Sequence, residues 1–386
     1  MATITVKQAG GGDFTNIFDA LASIGTVAGA GADDIVEVYD GDYNLERSVN
    51  NNMPSGTSWA HPFTLIVATA NVATISSFSG YHPIYLDTGG TLYAIIDGFI
   101  IDGGDTNVGP GLVTLSAVSY VRVQNCEIKD ANLFGGPGVS NNHVYIGISA
   151  DSHHIEILDN EIHGGISAGH GVYNEGRDNI IQGNEIYEIG GFGIHNYSSV
   201  PGNTPDDNTI IENTVYNCGT VRVTAAGILV GIGSGNHCYN NVSYNNLGAN
   251  LDGGVGISIT GDGAQIYNNT VYGNSWYGIE AVASDTASIK NNIAYNNFQN
   301  TEFTGATGLT QSNNLVGINP LFTNAGAGDF TLQAGSPAIN YGVYVGLPFA
   351  GSAPDAGAFE FELPTAATGP VHVGSTLMMG GRFGMR

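Results

Sequence analysis

The chain has 386 residues, of which 34 are acidic and 9 basic, for a formal net charge of −25. Phosphate contact needs clustered Lys and Arg, so this balance argues against nucleic acid and, equally, against an anionic membrane. The polar residues are largely uncharged, Gly alone counts 58, and no apolar run is long enough to span a bilayer.

The first residues, MATITVKQAGGGDF, hold neither a basic start nor an apolar stretch, so no signal peptide is visible. A virion protein released by lysis needs none. Asp13 to Ile24 places Phe14, Ile17, Phe18, Leu21 and Ile24 on one helical face, with Asp13 as its N-cap. We expect residues 1–34 to cap the first coil of a solenoid, near a strand at Ile35–Tyr39. Residues 41–90 are less regular and are read as early coils with long loops.

From Val123 to Tyr295 one phrase returns: an apolar run, a polar residue, Asn, any residue, Ile or Val, then Tyr. Its asparagines are Asn160, Asn184, Asn213, Asn241, Asn269 and Asn292, spaced by 24, 29, 28, 28 and 23 residues. Such a period means stacked units, none of which buries its apolar face alone. Each unit holds short β-branched stretches and no amphipathic helix, so each is a coil of two or three strands paired in parallel with its neighbours. Asn tolerates the left-handed bend at each corner, and its amide can bond the amides above and below. Upstream, the pattern assigns Cys126 and Gly98 to the Asn position. Gly-Ile or Gly-Val pairs at Gly147, Gly171, Gly193, Gly227, Gly256 and Gly278 mark a second sheet. The fold predicted for residues 35–310 is an all-β, right-handed parallel β-helix of roughly ten to twelve coils, each rising about 4.8 Å.

Residues 311–362 carry Asn313-Asn314-Leu315, Asn319-Pro320-Leu321-Phe322, Asp329-Phe330-Thr331-Leu332, Gly335-Ser336-Pro337 and Asp355-Ala356-Gly357, and are expected to form the terminal coil and cap. From Leu363 the chain turns Gly- and Met-rich, with Arg382 and Arg386, and reads as a flexible tail or as an assembly segment ordered on a partner. Cys126, Cys218 and Cys238 match no zinc spacing and are read as buried small residues.

With these motifs the chain resembles the right-handed parallel β-helix, or pectate-lyase-like, superfamily over most of residues 35–340. The motifs near the C-terminus resemble the closing segment of extracellular β-helix proteins. The resemblance implies fold, and the superfamily's lyases, hydrolases, epimerases, tailspikes and adhesins leave activity open.

Aligned residues of successive coils share a column. The residue after the ladder position reads Phe99, Glu127, Glu161, Glu185 and Thr214, and two residues on Ile101, Lys129, His163, Tyr187 and Tyr216. Stacked carboxylates repel, and three readings compete. One is a solvated face relieved by Lys129 and His163. Another is a Ca²⁺ site made by Glu127, Glu161 and Glu185. The third is a catalytic pair, Glu161 and Glu185, assisted by His163. Ser149, Tyr173, His195, Leu229, Ser258 and Glu280 form a second column. Tyr173 and His195, with Trp276 and Tyr277, offer flat rings for stacking on sugars. His170 aligns with Phe192 and Tyr277 and is read as packing.

A protein outside the cell or on a virion that recognises a polysaccharide fits these features first, tailspike- or adhesin-like and trimeric or assembled through its tail. A secreted polysaccharide-degrading enzyme comes second, a hydrolase before a lyase: within the repeats the basic residues are Lys129, Arg177, Arg222 and Lys290, too few for a recognisable lyase site. A purely structural surface protein comes third. No cofactor is required in the first reading, and the net charge favours a neutral glycan.

Overall fold

The structure, a computed structural model, describes residues 2–24, 33–44, 49, 53–76, 82–104, 111–131, 144–165, 168–249, 253–282 and 284–361. The tail from Leu363 lies outside the described residues. The chain winds as a parallel solenoid: two parallel sheets, of nineteen and eleven strands, are built from strands of successive coils. The larger sheet bends into two faces, because Ile84–Asp97 and Gly111–Gln124 run around one corner without a break. We call these faces A and B, and the eleven-stranded sheet face C. One coil shows the plan: His170–Asn174 lies on face A, Ile180–Gln182 on face B and Glu185–Tyr187 on face C.

Each coil turns its corners on a left-handed residue followed by a buried one, which is Asn at many of the later corners. In the coil just named these are Asp178 (φ 56), Gly183 (φ 68) and Glu188 (φ 55). At the corner between faces B and C, the Nδ2 of Asn160 donates to Oδ1 of Asn184 at 2.9 Å, and the backbone N–H of Asn160 donates to the same oxygen at 3.0 Å. The pattern repeats through Asn213, Asn241, Asn269 and Asn292 to Asn314. Each amide thus satisfies the corner backbone of one coil and ties it to the next, inside a core that water does not reach. Sequence reasoning found this ladder. The structure adds two more, Asn179–Asn208–Asn236 between faces A and B and Asn246–Asn274–Asn297 between faces C and A.

Upstream the expected columns slip. Ile100 pairs with Glu127, so Phe99, not Gly98, shares the ladder position with Cys126, and Gly98 is the left-handed corner residue (φ 82). The outward residues are therefore Ile100 and Asp102, in place of Phe99 and Ile101. The reason is burial: Phe99 and Ile101 are both fully buried, and a one-residue shift exchanges inside for outside. On face A, Gly147 pairs with Tyr173, which removes Ser149 from that column.

The N-terminal helix, Ile17–Ile24, is shorter than the amphipathic stripe and lies against the strands Thr3–Val6 and Ile35–Val38 with Ile17, Ala20, Leu21 and Ile24 buried. Asp13 is not its N-cap. Asp13 accepts from the backbone and hydroxyl of Thr5, both at 2.8 Å, while Asn16 accepts the Asp19 N–H at 2.8 Å and donates back to the Asp19 carboxylate at 2.6 Å. Asn16 is thus the N-cap, its side-chain oxygen taking the N–H three residues on.

The C-terminal residues fold back along face C. An antiparallel pair, Phe322–Asn324 with Asp329–Leu332, packs Phe322, Phe330 and Leu332 against Val242, Ile293, Tyr244, Tyr272 and Tyr295. Asn291 fastens the segment by donating to the Val343 carbonyl at 2.7 Å and accepting the Val343 N–H at 2.8 Å. Cys126, Cys218 and Cys238 are buried and unpaired, each thiol pushed up to about 12 by burial.

Candidate functional site

Face A differs from the other faces in one respect. Val144–Ile148, His170–Asn174, Ala226–Val230 and Val255–Ile259 are buried at every residue. A solenoid strand buries its inner side alone, so burial of both sides means that something covers the outer one. Here the outer side carries two columns. One runs His170, Phe192, Ala226, Val255 and Tyr277, and the other Tyr173, His195, Leu229, Ser258 and Glu280. Between them the Gly-Ile pairs turn their glycines inward. A Cβ on Gly193 would run into Val215 and the Gly227 carbonyl. That crowding is why glycine recurs there.

Midway along face A rings gather closely. His195 stacks on Phe192 at 4.3 Å and 14° and lies 4.5 Å from His170 and 4.9 Å from Tyr173, with Tyr197 stacked beyond it at 5.5 Å. Arg222, from the segment between faces C and A, reaches in. Its Nη1 lies 2.8 Å from His170 Nε2 and its guanidinium 5.8 Å from the centre of the Phe192 ring. His170 Nδ1 lies 3.3 Å from the Phe192 backbone nitrogen. A guanidinium can only donate, so Nε2 accepts and the neutral imidazole carries its one proton on Nδ1. Burial first, then the charges of His195 and Arg222, hold His170 well below the usual histidine range. His195 is pushed down to about 3, by burial and then by Arg222. Among the described residues its buried Nδ1 has no hydrogen-bond partner, an omission that costs about 1–3 kcal/mol. Tyr173 is pushed up to about 12 by burial and by the charge of Glu175.

Further along, a pocket of about 300 Å³ opens between Phe192, Thr224, Ala225, Leu229, Val255, Ser258 and Glu280. Ser258 Oγ donates to Glu280 Oε1 at 2.6 Å. Burial raises Glu280 above the usual carboxylate range; the Ser258 hydrogen bond opposes this, and the charge of Glu302 adds to it. Glu302 is the register partner of Glu280 on the next strand.

The carboxylates of face C are placed otherwise. Glu161 and Glu185 are register partners, and both are exposed. Glu161 accepts from the Tyr187 hydroxyl at 2.7 Å and Glu185 from the Tyr216 hydroxyl at 3.0 Å. Glu127 accepts from Lys129 at 2.8 Å, and His163 Nε2 lies 3.3 Å away. Partial burial works against the Glu127 charge, but Lys129 and His163 outweigh it and hold Glu127 below its ordinary range. One oxygen of each carboxylate is thus turned to a neighbour along the face. Among the described residues no group of three or more His, Cys, Asp or Glu side chains is placed to hold a metal ion, so the geometry lends the Ca²⁺ reading of Glu127, Glu161 and Glu185 no support. His163 stacks on Tyr187 at 2°, and the stack continues to Tyr216 and Tyr244.

The structure therefore brings Tyr173 and His195 together with His170. Trp276 and Tyr277 belong to the same face four strands on, roughly 19 Å away, where Trp276 stacks on Phe298 at 4.9 Å and 9°. Phe192, Arg222 and Glu280 were not singled out from the sequence. Phe192 and Glu280 had a signal, since both occupy the columns defined by the Gly-Ile pairs. Arg222 had none beyond being one of four basic residues within the repeats, because it stands between strands and belongs to no column.

Among the described residues no helix is long and apolar enough to cross a membrane. The family description "Right handed beta helix region" matches residues 144–336, half of the chain. No match was found among curated protein sequences. Among solved structures, pectate lyase Pel9A superposes with a TM-score of 0.64 at 14% identity, covering 94% of this chain and 96% of its own. ORF18 of Geobacillus virus E2 superposes with a TM-score of 0.54 at 16% identity, covering 81% of this chain and 60% of its own. The A-module of the Azotobacter vinelandii mannuronan C-5 epimerase AlgE4 gives 0.51 at 12% identity, covering 78% and 89%. At these identities the likeness is one of fold.

Proposed function

The chain belongs to the right-handed β-helix family, and we propose that it binds a polysaccharide along the outer side of face A. One observation carries this: the partly exposed rings of Phe192, His195 and Tyr197, backed by the buried rings of His170 and Tyr173, form a row beside a pocket of about 300 Å³. Sugar rings stack on such faces, and neutral imidazoles and hydroxyls beside them suit hydroxyl groups. Coils repeat every ~4.8 Å, about one sugar residue, so a chain lying along the rod meets similar surroundings at each step. Two of the similar structures, a pectate lyase and a mannuronan epimerase by name, accord with a polysaccharide partner. The reading puts the protein outside the cell, secreted or on a virion. Titration calorimetry against a panel of polysaccharides tests it. We expect binding that weakens about tenfold in Tyr173→Ala and His195→Ala; absence of binding to every glycan contradicts the proposal.

A second reading, degradation, rests on Glu280. A carboxyl raised by burial, hydrogen-bonded to the Ser258 hydroxyl and beside the Glu302 carboxylate, is what a general acid needs. If it operates, Glu280→Gln lowers the release of reducing ends about a hundredfold while glycan binding persists. Cleavage unaffected by that change removes Glu280 from the chemistry.

A further inference from the structure

The basic residues of this chain are few, and their partners are informative. Arg122 pairs with Glu156, Lys129 with Glu127 and Arg177 with Asp178. Arg222 makes no ion pair among the described residues, although the chain holds 34 acidic residues against 9 basic ones. It is also half-buried, where an uncompensated charge is costly. Its one side-chain hydrogen bond among the described residues is to His170 Nε2 at 2.8 Å. A guanidinium has five N–H donors in a planar fork, so most of them stay free for a ligand. His170 is a telling choice of support. A neutral imidazole positions the guanidinium without cancelling its charge, as a carboxylate in that place would. The ring of Phe192 beneath Arg222 completes the mount.

We propose that Arg222 makes the groove selective for sugars that carry a carboxylate, with the guanidinium binding the carboxylate in a two-pronged contact. This rests on the recognition reading above and reverses the expectation of a neutral glycan drawn from the overall charge. The net charge of −25 acts over the whole surface and is screened within about 8 Å at physiological salt, whereas Arg222 acts at contact distance. Global repulsion and local attraction then separate strongly anionic chains from chains that offer one carboxylate at the right place.

The test uses matched pairs: oligogalacturonate, oligomannuronate and glucuronoxylan oligosaccharides, each as the carboxylate and as the methyl ester, titrated into the full chain at about 0.15 M salt. We expect the carboxylate form of at least one pair to bind about tenfold tighter or better than its ester. Arg222→Gln should lower carboxylate affinity about tenfold more than ester affinity, so that the preference disappears. Arg222→Lys, which keeps charge and loses the fork, should retain part of it and guards against a misfolded Gln variant. Glycans bound without preference for carboxylate, or an Arg222→Gln loss equal for acid and ester, overturn this inference and leave polysaccharide recognition standing. No binding of either form in any pair, nor of neutral glycans, overturns both.

Discussion

Face A and face C are wound from the same coils with the same strand spacing, yet only one of them is built like a site. On face C, Glu161 and Glu185 stand exposed and hydrogen-bonded to Tyr187 and Tyr216, and downstream the same column disappears under Phe322 and Phe330. On face A, segments between faces C and A rise over the strands and enclose His170, Tyr173, His195 and Glu280. The difference teaches that stacking alone makes a ladder, whereas enclosure changes chemistry. Desolvation moves His195 down to about 3 and Glu280 up; the exposed glutamates of face C have no comparable enclosure.

Both faces hang on the corner ladders, and breaking one should erase the contrast. Asn241 accepts from Asn213 and donates to the Ile210 carbonyl and to Asn269. Asn241→Ala leaves several buried groups unpaired and should cost about 3 kcal/mol or more, read by denaturant unfolding. A loss below ~1 kcal/mol would mean that the ladder is replaceable. Next in size, Phe330→Ala removes a ring that is 2% exposed, at a cost of about 3 kcal/mol. It should free the segment covering Tyr244 and Tyr272, giving proteolysis between 317 and 361 while face A stays protected.

The remaining predictions sharpen the comparison. His170 and His195 are held neutral, so the unfolded chain takes up protons near the ordinary value of 6.5 while the folded state resists, for His195 until about 3. Their contribution is fully present above pH 6.5 and is lost progressively as pH falls toward 3. Acid unfolding should therefore move to lower pH in His195→Phe, and an unchanged acid midpoint would contradict the assignment. Smallest is the effect on face C. Glu161→Gln and Tyr187→Phe should each change stability by less than ~1 kcal/mol and leave glycan affinity unaltered. A tenfold loss of affinity there would return the site to face C.

Much of the fold was legible because its cause is periodic. Asn160 through Asn292 recur since every coil meets the same corner, and Gly171 through Gly278 recur since a Cβ there would meet the neighbouring coil. Legibility failed where the period did. Residues near Gly98 and Gly147 slipped out of register because their coils carry Phe99 and Tyr145, large buried side chains, where later coils carry Asn and Gly. Within the site, Tyr173 and His195 could be found by column, and Glu280 stood in the same column without being singled out. Arg222 could not be found, because which segment folds over which face is a tertiary fact with no sequence period. The asparagine phrase also drew attention to Glu161 and Glu185, which share a column but not an enclosure.

Hydrogen-exchange footprinting with a bound glycan tests the central claim, that the working surface is face A, most directly. The account predicts new protection in residues 170–174, 192–197 and 222–230, with the strands at 127–129, 161–163 and 185–187 unchanged. Protection confined to those three strands of face C, with 170–197 otherwise unaffected, would contradict it.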